Sequence, residues 1–521
     1  MAENLPKFFL ISTTQQRITI FPIDFVYQSM PEREMTTKGL RDNIQCSDNL
    51  TPRVSSSIVR WLVLAVVTFY LVTVGYNRAC FGVVNNVYAK YFNVTSDAID
   101  WLTQTMSAVS VTGAIIMLMV LAFFQCGFKS VCLITAFFIT VTYSCHLSSV
   151  VVDNSFALSV IGQVAMGIVN TLSISMVPAV GALWFPKEEV ATAIGISLSG
   201  IDIGNIAGFN IPAYYLNEKE HLPEELWREF VKSHLMLIFL VCLSLSALFL
   251  LATLMVVRDG PDVPPSLSEA VKGKFVDQKN RQENEVLSKL FRYLRLIRYD
   301  RTFLALVTCF GIVETCYMLE VLMMGDILRQ TERDSEAFLD GSNVRASHIL
   351  TVYAAGGLVG GVLAGLVLDA TKRFKGVAVA TGFLMAVFSV GFLANIVTDT
   401  IAWSYVTNSL YGFFNGACYT ALYEIIAQHM YPCNELALGA WITFFVSLAG
   451  LVVPLIGRFL FDTVSSIGVL ILQTAVLCLA TVLISCTHPR YERFSVNSSQ
   501  SQSEVPSAAT PLVKQKVVGR T

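Results

Sequence analysis

Twelve stretches of the chain stay apolar for about 20 residues at a time, the length that crosses the hydrocarbon core of a bilayer. They fall at 60–88, 101–124, 130–150, 156–181, 191–216, 234–257, 303–327, 347–369, 376–397, 401–430, 437–461 and 468–487. Six precede and six follow a polar segment from Arg258 to Arg301 that holds ten Lys/Arg. Its run Asp259-Gly-Pro-Asp-Val-Pro-Pro265 cannot continue a helix, because proline lacks the backbone donor. The pattern predicts an all-α membrane protein of twelve transmembrane helices in two pseudo-symmetric six-helix bundles, 56–257 and 303–487, joined by a basic loop at 258–302. Within that loop, Leu287 to Ile297 alternates apolar and basic residues at helical spacing, which predicts a short helix on the membrane surface. Residues 1–55 and the Ser- and Gln-rich 488–521 read as disordered tails without a core.

Composition agrees with a bilayer. The 521 residues are 54% hydrophobic and 14% charged, with a mean hydropathy of +0.59; soluble domains carry about 25% charge. A net charge of -2 says nothing about nucleic acid, and no zinc-finger spacing or dense basic stripe argues for it, so no nucleic-acid partner is expected. Twelve cysteines are scattered without a CxxC pair, which argues against a metal site and against a disulfide framework. No Walker A, HExxH or GxSxG sequence occurs, so no ATP-driven pump and no enzyme is expected, nor any cofactor. Transport, if that is the task, draws on a gradient.

Orientation follows from the cations. With the N-terminus inside, the interior loops hold 15 Lys/Arg and the exterior loops seven, placing both termini in the cytosol. Asn93-Val-Thr95 then lies outside, where Asn93 is a candidate glycosylation site. An exterior sequon and no retention signal favour the plasma membrane over endolysosomal or mitochondrial membranes.

Ionisable and amide groups inside spans are costly in hydrocarbon and so are candidates for function. Arg78 lies in the outer half of span 1, where it either faces a cavity or snorkels to headgroups. Glu314 lies mid-span in span 7, with Tyr317 nearby and Glu320 further out. Asn170 (span 4), Asn415 and Glu424 (span 10) complete the set of candidate cavity residues. Asp202, among the glycines of span 5, and Asp369 with Arg373, after the glycine ladder of span 8, are candidates for gating.

Gly365-Leu-Val-Leu-Asp369-Ala-Thr-Lys-Arg373 resembles the Gly-x-x-x-Asp-Arg-type turn of the major facilitator superfamily; after span 2, Phe124 stands where the aspartate is expected. More narrowly, the chain resembles the feline leukaemia virus subgroup C receptor-related transporters. The matching pieces include Arg60-Trp-Leu-Val-Leu64, Ile99-Asp-Trp-Leu102, Ala182-Leu-Trp-Phe-Pro-Lys-Glu-Glu-Val-Ala-Thr-Ala193, Asp262-Val-Pro-Pro-Ser266 and His488-Pro-Arg-Tyr491, in the same order from Arg60 to about Tyr491. The resemblance implies alternating-access movement of choline, ethanolamine or a similar small solute, with haem and a pyridoxine-like base as other cargoes, by a chain expected to be monomeric. It also implies an aromatic cage for a quaternary ammonium. The cage carries over poorly: the tryptophan of span 1 falls on Arg78, the glutamine of span 4 on Asn170, the amide of span 11 on Val446 or Ser447, and only the aromatic of span 7 survives, at Tyr317.

An uncompensated guanidinium in a low-dielectric cavity would repel choline. Either Glu314 neutralises Arg78 or the cargo is not choline. An Arg78–Glu314 pair would gate the pocket or bind a zwitterionic or carboxylate-bearing cargo. The alternative from another class is a receptor or solute sensor that keeps the transporter fold without transport.

Overall fold

The computed structural model describes residues 58–124, 126–152, 155–216, 223–270, 272, 300–331, 342–398, 400–463 and 466–503. The surface helix expected at 287–297 and the N-terminal tail lie outside the described residues.

Twelve long helices stand where the apolar runs are. They are α1 (Val59–Cys80), α3 (Ser96–Phe124), α4 (Phe128–Val151), α5 (Phe156–Trp184), α6 (Val190–Leu216) and α7 (Glu224–Val256), then α8 (Arg301–Thr331), α9 (Ser342–Thr371), α10 (Phe374–Val397), α11 (Ile401–His429), α12 (Glu435–Thr463) and α13 (Ser466–Cys486). Two short helices, α2 (Asn85–Phe92) and α14 (Glu492–Ser503), complete the order. Among the described residues eleven of the long helices are apolar enough to cross a membrane. The twelfth, α11, is as long as α5 at 29 residues but too polar. Its Asn408, Asn415, Glu424 and Gln428 are all buried against neighbouring helices, while Trp403 and Val406 face outward. A helix with its polar groups turned inward can still lie in a bilayer.

Three boundaries differ from the sequence expectation. The first span ends at Cys80 rather than 88: a turn over 81–84 starts the separate helix α2, which ends at Asn93 in a left-handed cap (φ 56°, ψ 48°). Asparagine tolerates that conformation better than most side chains. Span 6 begins ten residues early, at Glu224, because charged Glu224, Glu225 and Arg228 extend the helix beyond its apolar run. Within the C-terminal segment expected to be disordered from 488, Glu492–Ser503 forms α14. Its Phe494 ring lies 6.4 Å from Phe374, and Tyr491 just before it lies 5.4 Å from the same ring. The serine-rich composition hid two aromatic anchors.

The first six long helices and the last six pack as two bundles. Within the first, α1 packs on α6 and α4 on α5 and α7; within the second, α9 packs on α11 and α10 on α11 and α13. Two helix pairs cross between them, α6 with α9 and α3 with α12, and α5 also meets α12. The α6–α9 approach depends on missing side chains. A Cβ on Gly195 would stand 2.5 Å from the Gly361 carbonyl oxygen, and one on Gly365 2.6 Å from that of Ala191. Small residues let helix backbones meet where lipid supplies no hydrophobic drive.

Hydrogen bonds tie the bundles at both ends. Away from the central loop, Asn210 Nδ2 donates to Thr351 Oγ1 (2.7 Å) and Ser347 Oγ to the Phe209 carbonyl (3.0 Å). Toward it, Tyr423 Oη donates to the Ile174 carbonyl (3.2 Å). The bundles are thus in contact on both sides of their middle.

Candidate solute cavity and its two gates

Midway along the bundles a polar cavity opens between α6, α8, α9 and α11. Asp202, Glu314, Tyr317, Tyr353, Asn415 and Tyr419 supply its polar walls, with Gly357, Gly361 and Gly416 flattening one side. About 30 Å³ of it can be reached by the centre of a water molecule, room for one or two waters. A larger solute requires the bundles to part.

Each polar wall has a local cause. Glu314 and Tyr317, three apart on α8, share a face, as do Asn415 and Tyr419, four apart on α11. Tyr353, Gly357 and Gly361 repeat every four residues on α9, so the tyrosine overhangs a glycine floor. Tyr353 stacks on Tyr317 with ring centres 4.8 Å apart and 6° between planes. Asn415 Nδ2 reaches the Val313 carbonyl at 3.4 Å and Met385 Sδ at 3.6 Å.

Arg78 is buried at the end of α1, and its Nη1 lies 2.5 Å from Glu314 Oε1. The pair joins the two bundles across the cavity edge, and the arginine does not snorkel to headgroups. Asp202 has no such partner: its carboxylate makes no hydrogen bond or ion pair among the described residues and rests against Gly357. One guanidinium therefore faces two carboxylates.

The other expected residues fall elsewhere. Asn170 does not line the cavity; its Nδ2 donates to Ser110 Oγ (2.9 Å), and its Oδ1 is buried without a partner between α3 and α5. Glu424 lies two turns beyond Asn415 toward the central loop, accepts from Gln428 Nε2 (2.7 Å) and borders a separate recess with Lys187, Lys372 and Arg493. Asn93 is exposed at its cap.

That recess belongs to the loop-side gate. Asp369 accepts from Ala191 N (3.2 Å), Thr192 N (2.7 Å) and Thr192 Oγ1 (2.7 Å), so one carboxylate holds the N-terminus of α6 in the opposite bundle. Anions are favoured there by the free N–H groups and the helix dipole. The cation that completes the gate is Lys372, whose Nζ reaches the Lys187 carbonyl (3.1 Å) and Asp369 Oδ1 (3.2 Å). Arg373, the expected gating residue, is exposed and makes no ion pair among the described residues.

α14 lies over the same gate. Its Phe494 N donates to Gln428 Oε1 (2.9 Å), while Asn497 Oδ1 accepts from Ser268 N (3.0 Å). Beneath it Lys272 pairs with Glu435 and, at 3.7 Å, with Glu269. Burial outweighs these cations and lifts the Glu269 carboxyl to about 7. For Lys272 burial acts the other way, but Glu435 and Glu269 together leave its pKa raised. A carboxyl raised in the folded state stabilises it when protonated, so this contribution to stability is lost as pH rises from about 4.5 to about 7. Glu269→Gln is expected to flatten thermal melting across that window; a profile as steep as wild type would show another group titrating.

Tyr353, Tyr419 and Lys372 escaped the sequence reading. The four-residue spacing of Asn415 with Tyr419, and of Tyr353 with its glycines, was the available signal. For Lys372 there was none beyond its place beside Asp369.

A family profile described as Major Facilitator Superfamily matches residues 67–432. The chain belongs to the Major Facilitator Superfamily. It is a multi-pass membrane transporter for small organic solutes, built on that superfamily's fold. Among curated relatives, a choline/ethanolamine transporter of Danio rerio, flvcr2b, is 21% identical over 462 residues, 87% of this chain and 89% of the relative. The choline/ethanolamine transporter FLVCR2 of Homo sapiens is 21% identical over 72% of this chain and 67% of its own. Of solved superfamily structures, the Escherichia coli fucose:proton symporter FucP superposes with a TM-score of 0.57 at 11% identity, over 82% of this chain and 98% of its own. The proton:xylose symporter XylE gives 0.59 at 12%, over 85% and 99%. At these identities the structures speak for the fold alone.

Proposed function

We propose that this transporter carries choline, ethanolamine or a closely similar small organic cation through the cavity at Asp202, by alternating opening of its two gates. The excess of acid carries the reading. Arg78 and Glu314 cancel, which leaves Asp202 as the carboxyl group a cation would meet and pair with, beside three tyrosine rings able to face an ammonium group. The guanidinium that speaks against choline in the sequence is thereby neutralised. The names of the relatives point the same way. A negatively charged cargo such as haem would meet Asp202 unfavourably.

The basic loop, and with it the Asp369 gate, is assigned to the cytosol, and the membrane to the plasma membrane. Asn93 is then exterior, and Asn93→Gln is expected to remove a glycosidase-sensitive mass shift; no shift in the wild type would count against this orientation.

The reading is tested by uptake of radiolabelled choline, ethanolamine, pyridoxine and haem into vesicles holding the full-length protein. Saturable uptake of choline or ethanolamine, each competing with the other, is expected. Uptake of pyridoxine or haem alone would overturn it.

A further inference from the structure

α8 carries a second buried acid that the cavity does not use. Glu320 is 1% exposed, and neither of its carboxylate oxygens has a hydrogen-bond partner among the described residues. No described lysine, arginine or histidine pairs with it; the one guanidinium nearby on α1, Arg78, is held by Glu314. An ionised carboxylate left like this costs several kcal/mol.

The amides on the helices packed against α8 leave acceptor oxygens unpartnered. Asn408 on α11, 0% exposed, lies beside Glu320. Its Nδ2 is committed to the Ile349 carbonyl (3.2 Å), and its Oδ1 is unpartnered. Gln473 on α13 likewise spends Nε2 on Tyr411 Oη (3.0 Å) and leaves Oε1 free. Each amide thus spends one of its two N–H donors elsewhere and keeps its acceptor oxygen to spare. One hydrogen resolves the mismatch: a carboxylic acid O–H donating to Asn408 Oδ1 satisfies both groups at once.

The other titratable groups nearby are Cys316 and Tyr317 on α8, Tyr353 on α9 and Tyr411 on α11. From α12 the charged group is Arg458, whose guanidinium lies over the Phe461 ring at 5.8 Å. Asp202 and Glu314 lie at the cavity, on the far side of Tyr317.

We propose that Glu320 is a proton-binding site, and that its loading and release are coupled to the solute cavity through Tyr353. This rests on the transport reading above for its second half only. When the proton leaves to water, the new carboxylate needs a donor, and the Tyr353 hydroxyl is unpartnered. Tyr353 packs edge-on against Tyr411 (5.0 Å) and stacks on Tyr317 in the cavity wall. Swinging its O–H toward Glu320 unstacks Tyr317, so the state of the acid changes the wall that meets the solute. Coupling of this kind is a differential stability of two arrangements.

The first test needs no cargo. Infrared difference spectra of the purified full-length protein should show a carboxylic acid C=O stretch that Glu320→Gln removes. Should that variant fail to fold, Asn408→Leu reads the same site, because loss of the acceptor moves the band to higher frequency. No band change in either variant overturns proton binding, whatever the protein carries. The second test is choline accumulation in vesicles at zero membrane potential. A one-unit pH gradient should drive accumulation toward about tenfold for one proton per solute, with a flat pH profile in Glu320→Gln. Accumulation that follows a sodium gradient, or ignores pH while the infrared band persists, overturns the coupling.

Discussion

Arg78→Ala, with Glu314 left in place, is expected to destabilise the protein by about 3–5 kcal/mol, because a buried carboxylate loses the one cation that pairs with it among the described residues. Glu314→Ala should cost a similar amount by stranding the guanidinium. The double replacement Arg78→Met with Glu314→Leu should recover most of that loss, since apolar groups of like volume need no partner. Melting of detergent-purified protein reads all three. Additive losses in the double variant would mean that the two side chains do not act as a pair. Uptake separates stability from use: the double variant joins the bundles by packing alone, and its transport is expected to stay low.

Asp369→Ala is expected to release the loop-side gate. The carboxylate accepts three hydrogen bonds from Ala191 and Thr192, two of them at 2.7 Å, and one more from Lys372. Hydrogen bonds to a charged group contribute about 1.5–3 kcal/mol each. Losing even two weights the open arrangement by about 3 kcal/mol, roughly a hundredfold in population. A cysteine placed at Thr420, in the cavity wall, should then react faster with a maleimide presented from the loop side, judged against the same protein without it. Unchanged labelling would show that α6 and α9 stay closed through their glycine contacts alone.

The sequence announced its helices through apolar length, and the two bundles through the basic segment between them. Its failures have a common physical source. Span 1 was drawn too long because hydropathy does not register the turn at 81–84. The tail was read as disordered because two aromatic anchors, Tyr491 and Phe494, were outvoted by serines. Within the site, single ionisable residues in hydrocarbon stood out, and Arg78, Glu314 and Asp202 could be picked one by one. Neutral partners could not. Tyr353 is one of 18 tyrosines, and only packing distinguishes the one stacked on Tyr317. Asn170 and Glu424 were chosen by the same rule as Glu314, but a polar group in a span can serve helix contact or a gate as readily as a cavity.

Asp202 stands at the centre of this account, as the carboxyl group without an ion-pair partner among the described residues in the cavity between α6, α8, α9 and α11. The measurement that bears on it most directly is counterflow of radiolabelled choline in vesicles, comparing wild type with Asp202→Asn. The account predicts a transient overshoot in the wild type and a KM about tenfold higher in the variant, the loss of one partly screened charge contact of about 1.4 kcal/mol. Equal counterflow in both, with the same KM, would place the solute's route somewhere other than this cavity.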